Sequence, residues 1–224
     1  MQLSPISPFT TLPEQIAKAI ADGIIKGEIA PGAGLREIPL AEHFGVGRSS
    51  IREALRLLER DGVVSIRPRH GATVTQLTAD EMVEIYQIRA ALLGVAFELF
   101  SSLVTERDIP FLEESLARIK AIAAPDEHAT ALIHAELSAT MATYICARCG
   151  NKKLATLLGQ MALQVARYTK LGLSSHTRRI QSIKNWEKVL NALKNQDATG
   201  ANQAGKQMVI DNLTYAQAVL LSSK

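Results

Sequence analysis

The sequence predicts a mainly α protein with two domains: an N-terminal winged helix-turn-helix that contains a short β-hairpin, and a C-terminal all-α bundle of about six or seven helices. Two observations predict this architecture. Apolar residues change from helical spacing to strand-like alternation within the first 76 or so residues, which completes a small module. From residue 78 onward only helical spacing appears. We therefore expect one domain over residues 1–77 and a second over residues 78–224.

The first domain is predicted to contain three helices and a hairpin. The helices, each ended by a glycine, are expected at residues 13–27, 39–44 and 48–61. Residues 28–35 should form a turn, and Ser49 or a neighbour should cap the third helix. Two β-branched runs, 63–66 and 72–75, flank the sequence RPRHG, which predicts a hairpin with a basic tip.

The second domain begins with a helix-start signal, because Thr78 and Glu81 have the spacing of a capping box. Helical periodicity then predicts six segments, at residues 79–103, 105–123, 127–149, 151–173, 175–195 and 197–222.

Composition excludes several classes of protein. The chain has 224 residues, a formal net charge of +3 and 47% hydrophobic residues, which is too apolar for a disordered chain. No apolar run approaches the roughly 18 residues that a membrane span needs. The N-terminal sequence lacks the basic flank and apolar run of a secretory signal, so we expect a cytoplasmic protein.

Cys146 and Cys149 form a C-x-x-C sequence, for which redox and zinc-binding roles are the alternatives to a structural one. The five histidines are scattered, and the pair lies near the end of a helical stretch. We therefore interpret the two cysteines as small core or helix-end residues.

A basic surface is predicted on the third helix. Arg48, Arg52 and Arg56 recur every four residues and so share one face, opposite an apolar face. The alternative is a solvated face on which Glu53 and Glu59 pair with these arginines. The basic hairpin tip that follows directly favours DNA binding, because a helix and a wing would then contact the duplex together.

The segment GVGRSSIREALRLLERDGVVSIRPRHGATV resembles the winged-helix signature of the GntR family of bacterial transcription regulators. The resemblance implies that Arg48 and Arg52 read the operator and that His70 and Gly71 form the wing tip. One position departs from the family: Ile38 stands where relatives often carry a DNA-contacting arginine, and Arg36 could substitute. The expected DNA-contacting residues are Arg36, Arg48, Ser49, Ser50, Arg52, Arg56, Arg67, Arg69, His70 and Gly71.

The segment QLTADEMVEIYQIRAALLGVAFEL is similar to the start of the all-helical ligand-sensing domain in the FadR-type branch of that family. Arg89 matches the family pattern, whereas Leu93 replaces an expected glutamate. Many relatives hold a metal through one aspartate and three histidines, and the matching positions here are Ser138, Ala142, Trp186 and Met208. None is a usual metal ligand, so we expect no metal cofactor. The alternative is a metal site rebuilt from His128, His134 or His176.

A metal-free cavity still needs polar groups that orient a ligand. Arg89 is the first candidate, and Trp186 either fills the core or lines the vacated cavity. The expected effector-binding residues are Arg89, Tyr144, Gln164, Arg167, Trp186 and Asn212.

The resemblance predicts a homodimeric repressor that a small organic metabolite releases from operator DNA; organic acids and amphipathic metabolites are the expected effector classes, and a carboxylate is one candidate. No catalytic constellation is visible, so we expect no enzyme and no catalytic residues. A rebuilt metal site or catalytic role in the helical half and a ligand-independent DNA binder are the alternatives.

Overall fold

The protein was analysed as a computed structural model, which describes residues 10–68, 70–122 and 128–222. The chain divides into two compact units, Met1–Gln76 and Leu77–Lys224. Among the described residues, the first unit contains helices and a small sheet, and the regular structure of the second is helical, which confirms the predicted fold class. Within the described residues, every helix is too short or too polar to span a bilayer.

The described part of the N-terminal unit, residues 10–68 and 70–76, has three helices and three short strands. In chain order they are α1 (Leu12–Lys26), β1 (Gly34–Leu35), α2 (Glu37–Phe44), α3 (Arg48–Arg60), β2 (Val64–Arg67) and β3 (Gly71–Val74). The predicted helices and hairpin are present, with α2 beginning two residues earlier than expected. The turn expected at residues 28–35 contains β1, which the sequence did not reveal.

Local signals explain where α1 begins and ends. Thr11 and Glu14 form a reciprocal capping box, and Gly27 ends the helix with a left-handed φ of 89°. The apolar faces of α1 and α3 supply the core of this unit through Ile16, Ile20, Ile24, Ile51, Leu55 and Leu58, all of which are buried.

The three strands form an antiparallel sheet in the order β1-β3-β2. Ile66 lies opposite Ala72 and Arg67 lies opposite Gly71, so the hairpin turns through residues 68–70. The Ile66 N–H donates to the Glu59 carboxylate at 3.2 Å, which ties the hairpin to the end of α3.

The C-terminal unit has six helices within the residues that the structure describes. They are α4 (Ala79–Ser101), α5 (Asp108–Ile122), α6 (His128–Arg148), α7 (Lys152–Gly172), α8 (His176–Lys194) and α9 (Ala198–Ser222). The predicted Thr78–Glu81 capping box is present at the start of α4. Asp108 accepts hydrogen bonds from the Thr105 backbone N–H and hydroxyl, so α5 begins three residues later than the sequence predicted.

Helices α4 and α9 pack very closely. A Cβ atom added to Gly94 would lie 3.0 Å from the backbone oxygen of Asn202, so only glycine permits this approach. Around this pair the core contains large apolar side chains, including Phe97, Phe100 and Trp186.

Candidate functional site: a basic groove and a buried polar cluster

An acidic residue of α2 pairs with the two arginines at the start of α3. Arg52 donates from Nε and Nη2 to the two carboxylate oxygens of Glu37, at 2.9 Å each. Arg48 Nη2 donates to the same carboxylate at 3.3 Å. The expected alternative, pairing with Glu53 and Glu59, is wrong because both of these ion pairs go to the neighbouring helix.

These ion pairs favour the negatively charged form of Glu37 and the positively charged form of Arg52. The Arg52 hydrogen bonds, followed by those of Arg48, hold the pKa of the Glu37 carboxyl below its usual range. The same pairing raises the pKa of Arg52. Both arginine side chains stay more than half exposed, at 61% for Arg48 and 53% for Arg52. Because Glu37 occupies the Nε–Nη2 edge of Arg52, the opposite edge of the guanidinium fork is available to a base or a phosphate.

The arginines open onto a concave groove of about 900 Å³ between α2, α3 and the hairpin. The residues that line it are Gly34, Leu35, Arg36, Glu37, Ile38, Pro39, Arg48, Arg52, Leu55, Arg56, Ile66, His70, Gly71 and Ala72. The groove therefore brings together six of the ten residues expected to contact DNA. Ile38 lies in it with 55% of its surface exposed, at the position where relatives often carry an arginine.

The other expected DNA-contacting residues lie around this groove. Ser49 and Ser50 are in the first turn of α3, but neither caps the helix; Gly47 is the N-cap, so that prediction is wrong. Arg67 is exposed at the end of β2. Arg69 lies outside the described residues.

The helical unit contains a small cavity lined by α4, α6 and α7. Its volume is about 100 Å³, and its walls are Arg89, Leu93, Ala139, Ala142, Thr143, Cys146, Ala147, Ala155, Leu158, Gly159 and Ala162. Arg89 Nη1 is buried and has no hydrogen-bond partner. Burial lowers the pKa of Arg89. A guanidinium on an apolar wall is the kind of group that orients an acidic ligand.

The two cysteines have the structural role that the sequence favoured. Both thiols are free and buried. Burial raises the pKa of Cys146 to about 12, which is the opposite of what a reactive thiolate needs. Cys149 Sγ lies 3.8 Å from the backbone oxygen of Asn151, at the end of the helix.

Two of the four positions matching the family's metal ligands are bonded to each other. Trp186 Nε1 donates to Ser138 Oγ at 3.1 Å, and its ring centroid lies 6.1 Å from that of Phe97. With 1% exposure, Trp186 is a core residue, and the cavity described above is lined by others. Of the remaining two positions, Ala142 lines that cavity and Met208 packs against the core.

The other residues expected to bind an effector are dispersed. Tyr144 donates to the Asp108 carboxylate at 2.6 Å and stacks on Phe111, far along α6 from the buried polar groups described next. Arg167 lies over the Tyr168 ring, and Gln164 is half-buried on α7. Asn212 Nδ2 donates to the Tyr86 hydroxyl at 2.8 Å.

Sequence reasoning missed two buried arginines at the start of α8. Arg178 is 3% exposed and Arg179 is fully buried. Arg179 Nη1 donates to the backbone oxygens of Leu173 and Ser174, near the C-terminal end of α7. Their sequence, His-Thr-Arg-Arg, is typical of a solvated helix start, so no local pattern marks these two arginines as buried.

His134 lies beside these arginines. The sequence suggests it only as a ligand of a rebuilt metal site. Its Nε2 is 3.0 Å from Ser182 Oγ, and burial, together with Arg178 and Arg179, lowers its pKa to about 4. Among the described residues, no three histidine, cysteine, aspartate or glutamate side chains come together in a group that could hold a metal. His128 lies at the first position of α6, and its side chain is outside the described part of the chain.

A winged helix with a basic groove, followed by an all-helical unit with a polar interior, defines a two-domain regulatory protein. Residues 12–74 match the family described as bacterial regulatory proteins, gntR family, and residues 84–210 match the FCD domain. The FCD match alone spans more than half of the chain, so the chain is an FCD-domain protein whose N-terminal unit matches the gntR family.

Individual relatives support this assignment. The chain is 43% identical over 102 residues to the HTH-type transcriptional regulator YdhC of Bacillus subtilis, covering 46% of this chain and 44% of that protein. It is 43% identical over 75 residues to the gluconate operon transcriptional repressor of Bacillus licheniformis, covering 34% and 30%. In each case the match spans less than half of the relative's length.

A solved structure, that of McbR/YncC from E. coli, shares the fold. It superimposes with a TM-score of 0.79 at 22% identity, covering 96% of this chain and 100% of that one.

Proposed function

We propose that the protein is a ligand-responsive, sequence-specific DNA-binding transcription regulator, and that it is a repressor released from its operator by a small organic metabolite. The basic groove supports this most directly. The exposed guanidinium groups of Arg48, Arg52 and Arg56 and the hairpin tip line one concavity. A helix with an arginine face next to a basic wing has the form that enters a major groove while the wing contacts the backbone.

The relatives point the same way. The match to the gluconate operon repressor covers about a third of this chain, which is the size of a DNA-binding unit alone. The FCD match covers most of the helical unit, which would supply the response to a ligand. No catalytic role is proposed for either unit.

We propose that the protein acts as a homodimer. One winged helix covers a short half-site, and two-fold pairing would place two α3 helices in successive major grooves of a pseudo-palindromic operator. Light scattering of the full chain on operator DNA should give two copies per duplex, and a single copy would contradict this arrangement.

The effector is proposed to bind inside the helical unit without a metal ion. Arg89 lines the cavity of about 100 Å³, and its Nη1 is buried and has no hydrogen-bond partner. That space suits the acidic head of a metabolite. The Ser138–Trp186 hydrogen bond supports metal-free binding, because it uses two of the positions where relatives carry metal ligands.

Two measurements test the function. In the first, the full chain selects duplexes from a random library, and fluorescence anisotropy then measures its affinity for the selected and a scrambled duplex. Specific binding should exceed non-specific binding by at least about 10³-fold. Equal affinity for both duplexes would reject sequence-specific regulation.

The second measurement is a thermal-shift screen of organic acids, run with and without a chelator. A ligand that raises Tm should also lower operator affinity, with or without chelator. A shift that disappears with chelator would favour a rebuilt metal site. Operator affinity that no ligand changes would favour a ligand-independent DNA binder.

A further inference from the structure

Unsatisfied buried polar atoms gather in the interior of the helical unit. Besides Arg89 Nη1, they include His134 Nδ1, Arg178 Nε and Nη1, and Asn212 Oδ1. Buried donors and acceptors are nearly always paired, so each unpaired one points to a partner of another kind, such as an ion or a ligand. Four helices contribute these atoms, which makes the cluster a property of the folded interior.

Arg178 is the main charge of this cluster. Only 3% of its surface is exposed, and its guanidinium carbon lies 5.6 Å from the centroid of the Tyr215 ring. Burial lowers the pKa of Arg178, and the nearby carboxylate of Asp211 opposes this shift. However, that carboxylate already accepts hydrogen bonds from Asn185 at 2.7 Å and Gln207 at 2.6 Å. Arg178 therefore keeps a buried charge and two unpartnered nitrogens.

The groups around Arg178 can also bind an acidic ligand. His134 is fully buried and uses Nε2 towards Ser182, which leaves Nδ1 without a partner. Two side-chain pairs link α6 to α8, His134 with Ser182 and Ser138 with Trp186, and the partners in each pair are 48 residues apart. The same spacing along the two helices places Thr130 opposite Arg178. Thr130 is 6% exposed and carries a hydroxyl that can donate or accept.

We propose that Arg178 and His134 form a buried anion subsite, which binds a carboxylate or phosphate group of the effector at a place distinct from Arg89. This inference rests on the proposed function and extends it. A bound anion would satisfy the orphaned guanidinium nitrogens and offset the buried positive charge. Tyr86 interacts electrostatically with both arginines, so an effector with two acidic groups could engage both places at once.

The test uses the full chain and two minimal probes, inorganic phosphate and acetate, each compared with chloride at equal ionic strength. We expect one of the probes to raise Tm by roughly 5–10 °C at a hundredfold excess over its Kd. A larger effect of phosphate would indicate a phosphorylated effector, and a larger effect of acetate a carboxylate. No effect of either probe beyond that of chloride would overturn the proposal.

Three variants locate the site. Arg178→Gln should remove most of the shift, measured relative to its own Tm without the probe. Arg89→Gln should keep the part of the shift that comes from Arg178, and Arg148→Gln, a matched control whose side chain is 53% exposed and paired with Asp108, should keep all of it. An undiminished shift in Arg178→Gln would refute the assignment.

A second readout does not depend on the stability of a variant. The His134 imidazole resonances of the wild type, assigned with His134→Asn, should move on addition of the active probe. Resonances that stay in place would overturn the subsite even if Arg178→Gln does not fold. Operator affinity, measured alongside, separates this result from the proposed function. If the protein binds its operator but neither probe raises its Tm, the anion subsite is refuted and the proposed function is not.

Discussion

Trp186 on α8 donates its indole N–H to the hydroxyl oxygen of Ser138 on α6, across 3.1 Å. One helical turn earlier on both helices, His134 and Ser182 are 3.0 Å apart. Both pairs are separated by 48 residues, so the two helices run in the same direction with a fixed register. Two of the four positions at which relatives hold a metal thus form an interhelical hydrogen bond between neutral side chains.

The Ser138–Trp186 pair should behave as a coupled unit in stability measurements. Ser138→Ala leaves a buried indole N–H unsatisfied, and Trp186→Phe leaves a buried hydroxyl unsatisfied. Each should lower the free energy of unfolding by about 1–3 kcal/mol, with an added packing loss for Trp186→Phe. Urea titration measures both.

The double variant is the decisive comparison, because replacing both partners by apolar groups removes the unsatisfied atom. It should be less destabilised than the sum of the single variants. Simple additivity would show that the hydrogen bond contributes nothing beyond packing.

Arg52 should contribute strongly to operator binding. Arg52→Ala removes a guanidinium whose outer edge faces the groove, so Kd for the operator should rise about 10- to 100-fold where that edge reads a base. Fluorescence anisotropy measures the change. Arg60→Ala is the matched control, because Arg60 is exposed on the same helix but pairs with Asp61 at its end. Equal affinity of Arg52→Ala and wild type would exclude α3 as the reading helix.

Glu37 should sharpen specificity. Its carboxylate holds Arg52 through two hydrogen bonds of 2.9 Å, so Glu37→Gln frees the arginine and also removes a negative charge from the groove. Because an exposed ion pair contributes roughly 0.2–1 kcal/mol, the ratio of specific to non-specific affinity should fall about two- to fivefold. Non-specific affinity alone should rise slightly. A ratio that is unchanged or increased would mean that Glu37 only opposes DNA binding.

The sequence predicts this fold best where the determinants are local. The Thr78–Glu81 capping box is encoded within four residues, and α4 begins at residue 79 as predicted. The Thr11–Glu14 box is equally local, and α1 begins at Leu12, one residue before the predicted start. Strand β1 has only two residues and exists because it pairs with β3, some forty residues away, so no local pattern could reveal it.

The candidate sites, like the fold, could be predicted from the sequence only where their determinants are local. The arginine face of α3 is periodic and was recognisable, but its partner Glu37 comes from a different helix. Arg178 occupies a helix start that looks solvated, and its burial depends on how α8 packs against the rest of the unit. Long-range packing decided both cases, and a single sequence does not show it.

The stability of the helical unit should depend on pH through His134. Its pKa of about 4 in the folded protein lies below the value of about 6.5 for a free imidazole, so the unfolded state takes up a proton first as pH falls. The contribution of the neutral His134 imidazole to the free energy of unfolding is therefore fully present above pH 6.5. It is lost as the pH falls towards 4, and the total loss is about 3 kcal/mol.

His134→Asn removes this dependence. The difference in unfolding free energy between wild type and variant should shrink by roughly 2–3 kcal/mol between pH 7 and pH 4.5. Urea unfolding at the two pH values measures it. A difference that stays constant would show that the pKa of His134 is the same in the folded and unfolded states.

The Tyr168 hydroxyl should carry part of the response to the effector. It accepts a hydrogen bond of 3.0 Å from the backbone N–H of Leu77, the first residue of the helical unit. Tyr168 lies on α7, and Leu158 and Gly159 of the same helix line the cavity that contains Arg89. A shift of α7 on ligand binding would therefore move the chain where it leaves the N-terminal unit.

Tyr168→Phe should bind the operator and the effector with nearly wild-type affinity, but the bound effector should lower operator affinity less than it does in the wild type. Linkage requires the operator to weaken effector binding less by the same factor, so anisotropy and calorimetry must agree. Thr156→Ala, which removes an exposed hydroxyl from the same helix, should respond like wild type. Full coupling in Tyr168→Phe would rule out this route.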